Sequence, residues 1–378
     1  MKRSLVCIIL SLIILFRIAP IAHSVSISGI SAKAYVLIEA DTGIIIASGN
    51  EHTALPMAST TKIMTTLLLI ESGNLDEQFK VDNNAIKVEG SSMGLCDDDI
   101  VTKRALCYGM MLPSGNDAAN QTAVLLAGNT EDFSVMMNKR ASEIGLTNTN
   151  FVTPSGLHHD NHYSTAYDMA LLAGEALKNE LFREICSSKK AQLEFGNPPY
   201  ERWLINTNKL LTKYEHCIGV KTGFTDEAGR CLVSAAEKDG TTLICVTLNA
   251  PDDWNDHMKL YDYGFSVAQK QNIDFDFSEL YVDVAGGNCD TISVIPAEMP
   301  SYTQINGKKI DLVPEIIIQK FVYAPVKKNQ TVGQLNFYYN NRLVFSTGLI
   351  TTASCDAVIK ERKTTITEKI TDFIKGLL

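Results

Sequence analysis

Three short elements of this chain carry side chains that could activate a hydroxyl and hold a carboxylate: Ser59 with Lys62, Ser114-Gly115-Asn116, and Lys221-Thr222-Gly223. Residues three apart on a helix share a face, with Cβ atoms about 5–6 Å apart, so the Ser59 hydroxyl and the Lys62 amine could exchange a proton. Serine is a weak nucleophile until a neighbour takes that proton, and a lysine can take it only when burial or a nearby cation lowers its pKa. Ile63, Met64, Leu67, Leu68 and Ile70 supply the burial, and Lys221 is a candidate second cation. A serine at a helix N-terminus also meets free N–H groups that favour an oxyanion. Pro113 and Gly115 keep Ser114 and Asn116 in a loop, where they would face Lys62 across a cleft, relay a proton to a leaving group and hold an amide. On a strand edge, Lys221 and Thr222 could meet a terminal carboxylate, while Gly223 leaves room for an extended peptide. Together these groups describe acyl transfer through a serine.

Each element alone is weak. An SxxK pattern arises about once or twice by chance at this length, and a second copy runs from Ser187 to Lys190. Ser-Gly-Asn also recurs at 48–50 and 72–74, before the nucleophile and at the stop of its helix. Lys-Thr-Gly occurs once. Order and context give the set its force.

The elements that must position these residues follow from local pattern. Runs at 34–38 and 44–47 flank Asp41-Thr42-Gly43 and predict a hairpin. Ser59 is expected to begin an apolar helix that stops at Gly73, and further helices are expected over 102–111, 117–127, 131–144 and 165–177. Thr165 with Asp168 resembles a capping box. Strand patterns return at 218–224, 230–236 and 243–248, and a helix at 253–265 closes the unit. Strands at both ends with helices between predict a sheet completed by distant segments, an α+β domain over about residues 28–268. Beyond residue 273 short runs at 280–284, 316–323, 335–339 and 343–346 predict a small all-β domain. Ile366, Ile370, Phe373, Ile374 and Leu377 fall on one helical face with lysines and Arg362 around it, the pattern of an in-plane membrane helix.

Composition narrows the class. With 378 residues, 45% hydrophobic and 20% charged, the chain is ordered and suits two domains. A net charge of −9 with no basic stripe argues against nucleic acid as a partner. Lys2 and Arg3, an apolar run to Phe16 and Ala22-His23-Ser24 read as an export signal over 1–24, which places the mature chain outside the cytoplasm. Eight cysteines then remain, with no CxxC pair and with pairing left open. His158, His159 and His162 are expected to face solvent in a loop rather than bind metal, and Trp203 and Trp254 to be core or groove-lining. No phosphate loop or dinucleotide fingerprint occurs, and neither a cofactor nor a metal is expected.

The three elements in this order are similar to those of the low-molecular-mass penicillin-binding proteins, the serine-type D-alanyl-D-alanine carboxypeptidases, over about residues 30–378. The stretches at 55–62, 111–117, 153–157 and 220–225 carry the resemblance. It implies a β-lactamase/transpeptidase-like domain over 25–270, a β-sandwich over 271–352 and a membrane-surface helix over 353–378. It also implies Ser59 as acylated nucleophile, Lys62 as base, Ser114 and Asn116 as their partners, and Lys221, Thr222 and Gly223 on the substrate side. The backbone N–H groups of Ser59 and Phe224 would form the oxyanion hole. The implied substrate is the peptidoglycan stem peptide, with β-lactams as covalent inhibitors, at the outer face of the cell membrane. Some members carry an arginine where this chain reads Ala250-Pro251-Asp252-Asp253-Trp254-Asn255-Asp256, so Lys221 and Thr222 are expected to recognise the carboxylate. A class A β-lactamase would need a Glu-x-x-Leu-Asn segment between the second and third elements, and none occurs. A catalytically silent wall-binding protein is the remaining alternative, and the three intact elements weigh against it.

Overall fold

The computed structural model describes residues 27–358 and three positions of the tail, Ile370, Ile374 and Lys375. The expected export signal and amphipathic tail lie outside the described residues, those three positions excepted. The chain divides into two compact units between Gln269 and Lys270.

In the first unit, five strands form an antiparallel sheet: β1 (Ala34–Glu39), β2 (Ile45–Gly49), β3 (Cys217–Thr225), β4 (Gly229–Lys238) and β5 (Thr241–Leu248), ordered β2-β1-β5-β4-β3. Strands from both ends of the unit meet in register, with Val36 opposite Val246 and Val246 opposite Val233. Alternation then sorts the faces. Val36, Val233 and Val246 join the main core with a helical block, while Leu37 and Leu243 pack against Gly264 of α7 (Asp253–Val267), where a Cβ would stand 2.7 Å from each.

The block comprises α1 (Lys62–Glu71), α2 (Lys103–Met111), α3 (Asn116–Ala127), α4 (Thr130–Ile144), α5 (Ala166–Leu177) and α6 (Glu180–Ser187). Eight of the ten residues of α1 are buried, as befits a helix apolar all round and enclosed by its neighbours. Thr165 caps α5, accepting the Asp168 N–H at 3.0 Å, as its spacing predicts. Helix α6 and the hairpin of Lys190–Gly196 with Pro199–Ile205 were not legible in the sequence. In that hairpin exposed Gln192 faces exposed Trp203, so apolar and polar residues do not alternate cleanly.

One local expectation is corrected. Ser59 does not begin an α-helix; Ala58–Thr61 form a 3₁₀ turn and α1 starts at Lys62. The Thr60 and Thr61 hydroxyls donate to the carbonyls of Met57 and Ala58 at 2.6 and 2.7 Å, the local bonding that tightens a first turn.

The second unit is all-β. Its six-stranded sheet runs Val313–Ile318, Thr331–Tyr339, Arg342–Thr351, Thr291–Pro296, Tyr281–Ala285 and Phe321–Tyr323. The single strand run expected over 316–323 is two strands, and they lie at opposite edges of that sheet. Only Gln319 and Lys320 separate them, so the sheet must curl until its edges approach, around Val332, Leu335, Phe337 and Leu349. Cys289 and Cys355 form a disulfide with Cα atoms 6.1 Å apart, and the other described cysteines are free thiols.

Candidate active site

Lys62 is the centre of the site. Its side chain is fully buried, and Nζ stands 2.9 Å from Ser59 Oγ, 2.7 Å from Asn116 Oδ1 and 2.7 Å from the Ser155 carbonyl. The amide of Asn116 is oriented by its other end, since Nδ2 donates to the Glu89 carbonyl at 2.7 Å. Burial lowers the Lys62 pKa well below its ordinary value, Lys221 lowers it further, and Asp117 opposes them. Two partners of Nζ are carbonyl oxygens, which only accept. In the neutral form, which burial favours, the amine has two N–H bonds and one lone pair; with both N–H groups on Asn116 and Ser155, the lone pair is left for the Ser59 hydroxyl. That is the arrangement of a base and its nucleophile.

The turn that presents Ser59 is held from behind. Ala58 adopts φ 48, a left-handed conformation that costs a residue with a Cβ about 1–2 kcal/mol. Gly156, also left-handed at φ 85, lies against the Ala58 carbonyl; a Cβ there would be 2.0 Å from that oxygen. His162, expected to face solvent, is instead buried, whereas His158 and His159 are exposed. Its Nδ1 accepts the Val152 N–H at 2.9 Å, which leaves the ring proton on Nε2, 2.8 Å from Thr61 Oγ1. Burial, helped by His159 and then His158, lowers the His162 pKa to about 3, so the ring is neutral. A chain of bonds thus runs from the Val152 amide through His162 and Thr61 to the Ala58 carbonyl. His162→Ala is expected to cost about 1–3 kcal/mol through the unpaired Val152 N–H, and to slow Ser59 acylation. Thermal unfolding together with the rate of fluorescent-penicillin labelling measures both, and an unchanged melting temperature would remove the clamp.

Ser114 is the predicted residue least tied to the others. It is buried, adopts φ 67 in the turn before α3, and has no hydrogen bond to Ser59 or Lys62. Asn116, two residues on, does reach Lys62.

Beside Asn116 the structure adds a residue that sequence reasoning passed over. The Asp117 carboxylate is buried and accepts from Ser92 Oγ at 2.5 Å and from the N–H groups of Met93, Gly94 and Leu95 at 2.9–3.1 Å. It ties down the loop whose Glu89 and Ser91 carbonyls hold Asn116. The signal was an acidic residue in the first turn of α3, which a capping rule explains without the loop.

Strand β3 closes the opposite wall. Lys221 is fully buried, with its Nζ donating to the Thr222 carbonyl at 2.8 Å, and burial lowers its pKa to about 7. Gly223 has a packing reason beside the expected one. A Cβ there would lie 3.0 Å from the Met57 carbonyl and 3.1 Å from the Ser59 and Thr60 nitrogens, so the strand lies directly against the nucleophile turn. The Ser59 N–H and the segment entering Phe224 are therefore neighbours, and the Phe224 side chain is exposed. Thr222 Oγ1 meets Thr207 Oγ1 at 2.8 Å. Arg230, set opposite Phe224 by the strand pairing, is committed to Asp253 at 2.7 and 3.0 Å.

The chain is similar to known proteins. The D-alanyl-D-alanine carboxypeptidase family matches residues 21–252, and the C-terminal domain of penicillin-binding protein 5 matches residues 267–357. The D-alanyl-D-alanine carboxypeptidase DacF of Bacillus subtilis is 34% identical over 314 residues, 80% of each chain. DacC of Escherichia coli is 32% identical over 359 residues, 89% of this chain and 88% of its own. Among solved structures, the D-alanyl-D-alanine carboxypeptidase DacD of Francisella tularensis superposes with a TM-score of 0.62 at 26% identity, covering 91% of this chain and 98% of that one. A primed serine–lysine pair, the three elements around it and family matches over both units converge on one conclusion: the chain belongs to the serine-type D-alanyl-D-alanine carboxypeptidases.

Proposed function

We propose that this enzyme removes the terminal D-alanine from peptidoglycan stem peptides through an acyl-enzyme on Ser59, with Lys62 as the base. The lone-pair count at Lys62 Nζ carries this reading. Neutral Lys62 takes the Ser59 proton as Oγ bonds to the carbonyl carbon of the penultimate D-alanine. The resulting oxyanion lies between the N–H groups of Ser59 and Phe224. As the C–N bond breaks, the proton returns through Ser114 to the leaving amine, and free D-alanine departs. Water then hydrolyses the ester and restores the Ser59 hydroxyl and neutral Lys62. Asn116 orients Lys62 and the substrate amide, while Lys221 and Thr222 hold the terminal carboxylate. A β-lactam acylates the same oxygen, but its amine stays tethered in the site.

Incubating the protein with a muropeptide ending in D-Ala-D-Ala, and following D-alanine release and the mass of the Ser59 peptide, tests this reading. A wild-type enzyme that releases no D-alanine, or that carries the acyl group elsewhere, would sink it. Fast, repeated turnover of penicillin would instead favour a lactamase.

The charge on Lys221 makes the activity pH-dependent. Its ammonium must be present to meet the carboxylate, and burial lowers its pKa to about 7, so kcat/KM is expected to fall as pH rises through about 7. A bound carboxylate favours the charged form, so the same limb in kcat lies at higher pH. Lys221→Arg, which cannot discharge in this range, should lose the limb. A wild-type kcat/KM that stays flat from pH 6 to about 9 would remove Lys221 from this role.

The division proposed for the whole chain is a signal over 1–24, a catalytic domain over 25–270, a β-sandwich over 271–352 and a membrane-surface helix over 353–378. That division places the enzyme at the outer face of the cell membrane. The apolar face of Ile366, Ile370, Phe373, Ile374 and Leu377 among lysines supports it.

A further inference from the structure

The hairpin of Lys190–Gly196 with Pro199–Ile205 presents an outward face that the catalytic reading does not use. Trp203 and Ile205 alternate on it with 56% and 66% of their surface exposed, although Trp203 was expected in the core or lining the groove. Lys190 covers one side of the Trp203 ring, 4.7 Å from its centroid, and Gln192, the direct cross-strand neighbour of Trp203, donates to Glu201 on the same face. A large aromatic ring beside amide and charged groups suits a ligand that is itself both apolar-faced and rich in hydrogen-bonding groups.

The face is rigidly mounted. From the other side of the hairpin, Arg202 is sandwiched between the Phe195 and Tyr200 rings, 4.2 Å from each centroid. Its guanidinium pairs with buried Asp99 at 3.1 Å and also bonds the Gly94 carbonyl, in the loop that Asp117 holds. An exposed ring on so fixed a support loses little entropy when a ligand lands on it.

The chain leaving this face runs to the edge of the cleft. Two residues beyond Ile205, the Thr207 N–H donates to the Leu112 carbonyl at 3.1 Å, next to the Pro113-Ser114 turn, and Thr207 Oγ1 meets Thr222 Oγ1 at 2.8 Å. Under the proposed function Thr222 holds the terminal carboxylate, so the hairpin extends past the end of the stem peptide. A polymeric wall brings other strands there.

We infer that the Trp203–Ile205 face is a subsite for the wall's N-acetylated amino-sugar strand, with sugar rings stacking on the side of Trp203 that Lys190 leaves open and with Lys190 and the paired Gln192 and Glu201 bonding their polar groups. This inference rests on the proposed wall-directed activity. It makes the enzyme a better hydrolase of assembled wall than of soluble precursor peptides.

The chain has two tryptophans, so the emission has two sources, and Trp254→Phe isolates that of Trp203. Chitotetraose, used as a soluble probe of the sugar strand, is expected to quench the emission of the full chain and of its Ser59→Ala variant alike. The quench should persist in Trp254→Phe and vanish in Trp203→Ala. On isolated polymeric peptidoglycan Trp203→Ala should raise KM about tenfold with kcat unchanged, while hydrolysis of a short D-Ala-D-Ala peptide stays at the wild-type rate. No quenching, or equal effects of Trp203→Ala on polymer and short peptide, would overturn the subsite. A change of oligomeric state or of vesicle binding in Trp203→Ala, with no effect of chitotetraose, would reassign the face to a second copy or to a membrane. Failure of the wild-type enzyme on both substrates would count against the proposed activity and leave the chitotetraose result to decide the subsite.

Discussion

Lys62→Ala is expected to slow acylation of Ser59 by about 10³- to 10⁴-fold, the upper part of what a positioned base contributes. The Ser59 hydroxyl is paired with Lys62 Nζ at 2.9 Å, and the site's other lysine, Lys221, bonds the Thr222 carbonyl. No second base stands ready to replace the first. The fold should survive, because the substitution removes a buried amine whose charged form is opposed by burial and by Lys221. Lys62→Arg discriminates between charge and proton transfer. It keeps a positive group near Asn116 and Ser155 but cannot accept a proton at any working pH, so it should be as inactive as the alanine variant. The rate of fluorescent-penicillin labelling, with circular dichroism as the folding control, measures both. Near wild-type labelling in a folded Lys62→Arg protein would rule out Lys62 as the base. The sign of the pH dependence follows from the same environment: burial and Lys221 lower the Lys62 pKa, so the acid limb of activity lies well below the ordinary lysine range.

A comparable loss is expected from a single methyl group that touches neither nucleophile nor base. In Gly156→Ala the new Cβ would fall 2.0 Å from the Ala58 carbonyl oxygen and 2.4 Å from its carbon. Backbone atoms must move to relieve that overlap, and the left-handed φ of 85 adds strain of its own, about 1–2 kcal/mol. The atoms that must move adjoin Ser59, and a displacement of about 1 Å at a nucleophile costs on the order of 10²-fold in rate. Acylation by penicillin should therefore fall about 10²-fold or more, with a lowered melting temperature. Gly73→Ala serves as the control, since Gly73 is also left-handed, at φ 69, but has nothing within 4 Å of the added Cβ. If Gly156→Ala labels as fast as Gly73→Ala, Gly156 does not set the nucleophile turn.

Much of this was legible in the chain because the signals are local. Strand and helix patterns placed the sheet from both ends of the first unit, and Thr165 announced its own cap, since each depends on neighbours a few residues away. The start of α1 was misread because backward hydroxyl bonds from Thr60 and Thr61 compete with α geometry at the place where a cap is expected. His162 was misread because its neighbours in sequence are polar while its neighbours in space are Val152 and Thr61. The curled sheet of the second unit was hidden by the two-residue step between its edge strands.

The order and types of Ser59, Lys62, Ser114, Asn116, Lys221 and Thr222 determined the reaction class, because activating a hydroxyl requires those functional groups wherever they stand. Tertiary structure decided what no spacing encodes. It set Lys62 Nζ against the Asn116 and Ser155 carbonyl oxygens and Ser59 Oγ, brought Gly156 and Gly223 against the nucleophile turn, and made Asp117 the anchor of the opposite loop. These are contacts between segments from about 22 to 170 residues apart, and only packing fixes such distances to the fraction of an ångström that proton transfer requires.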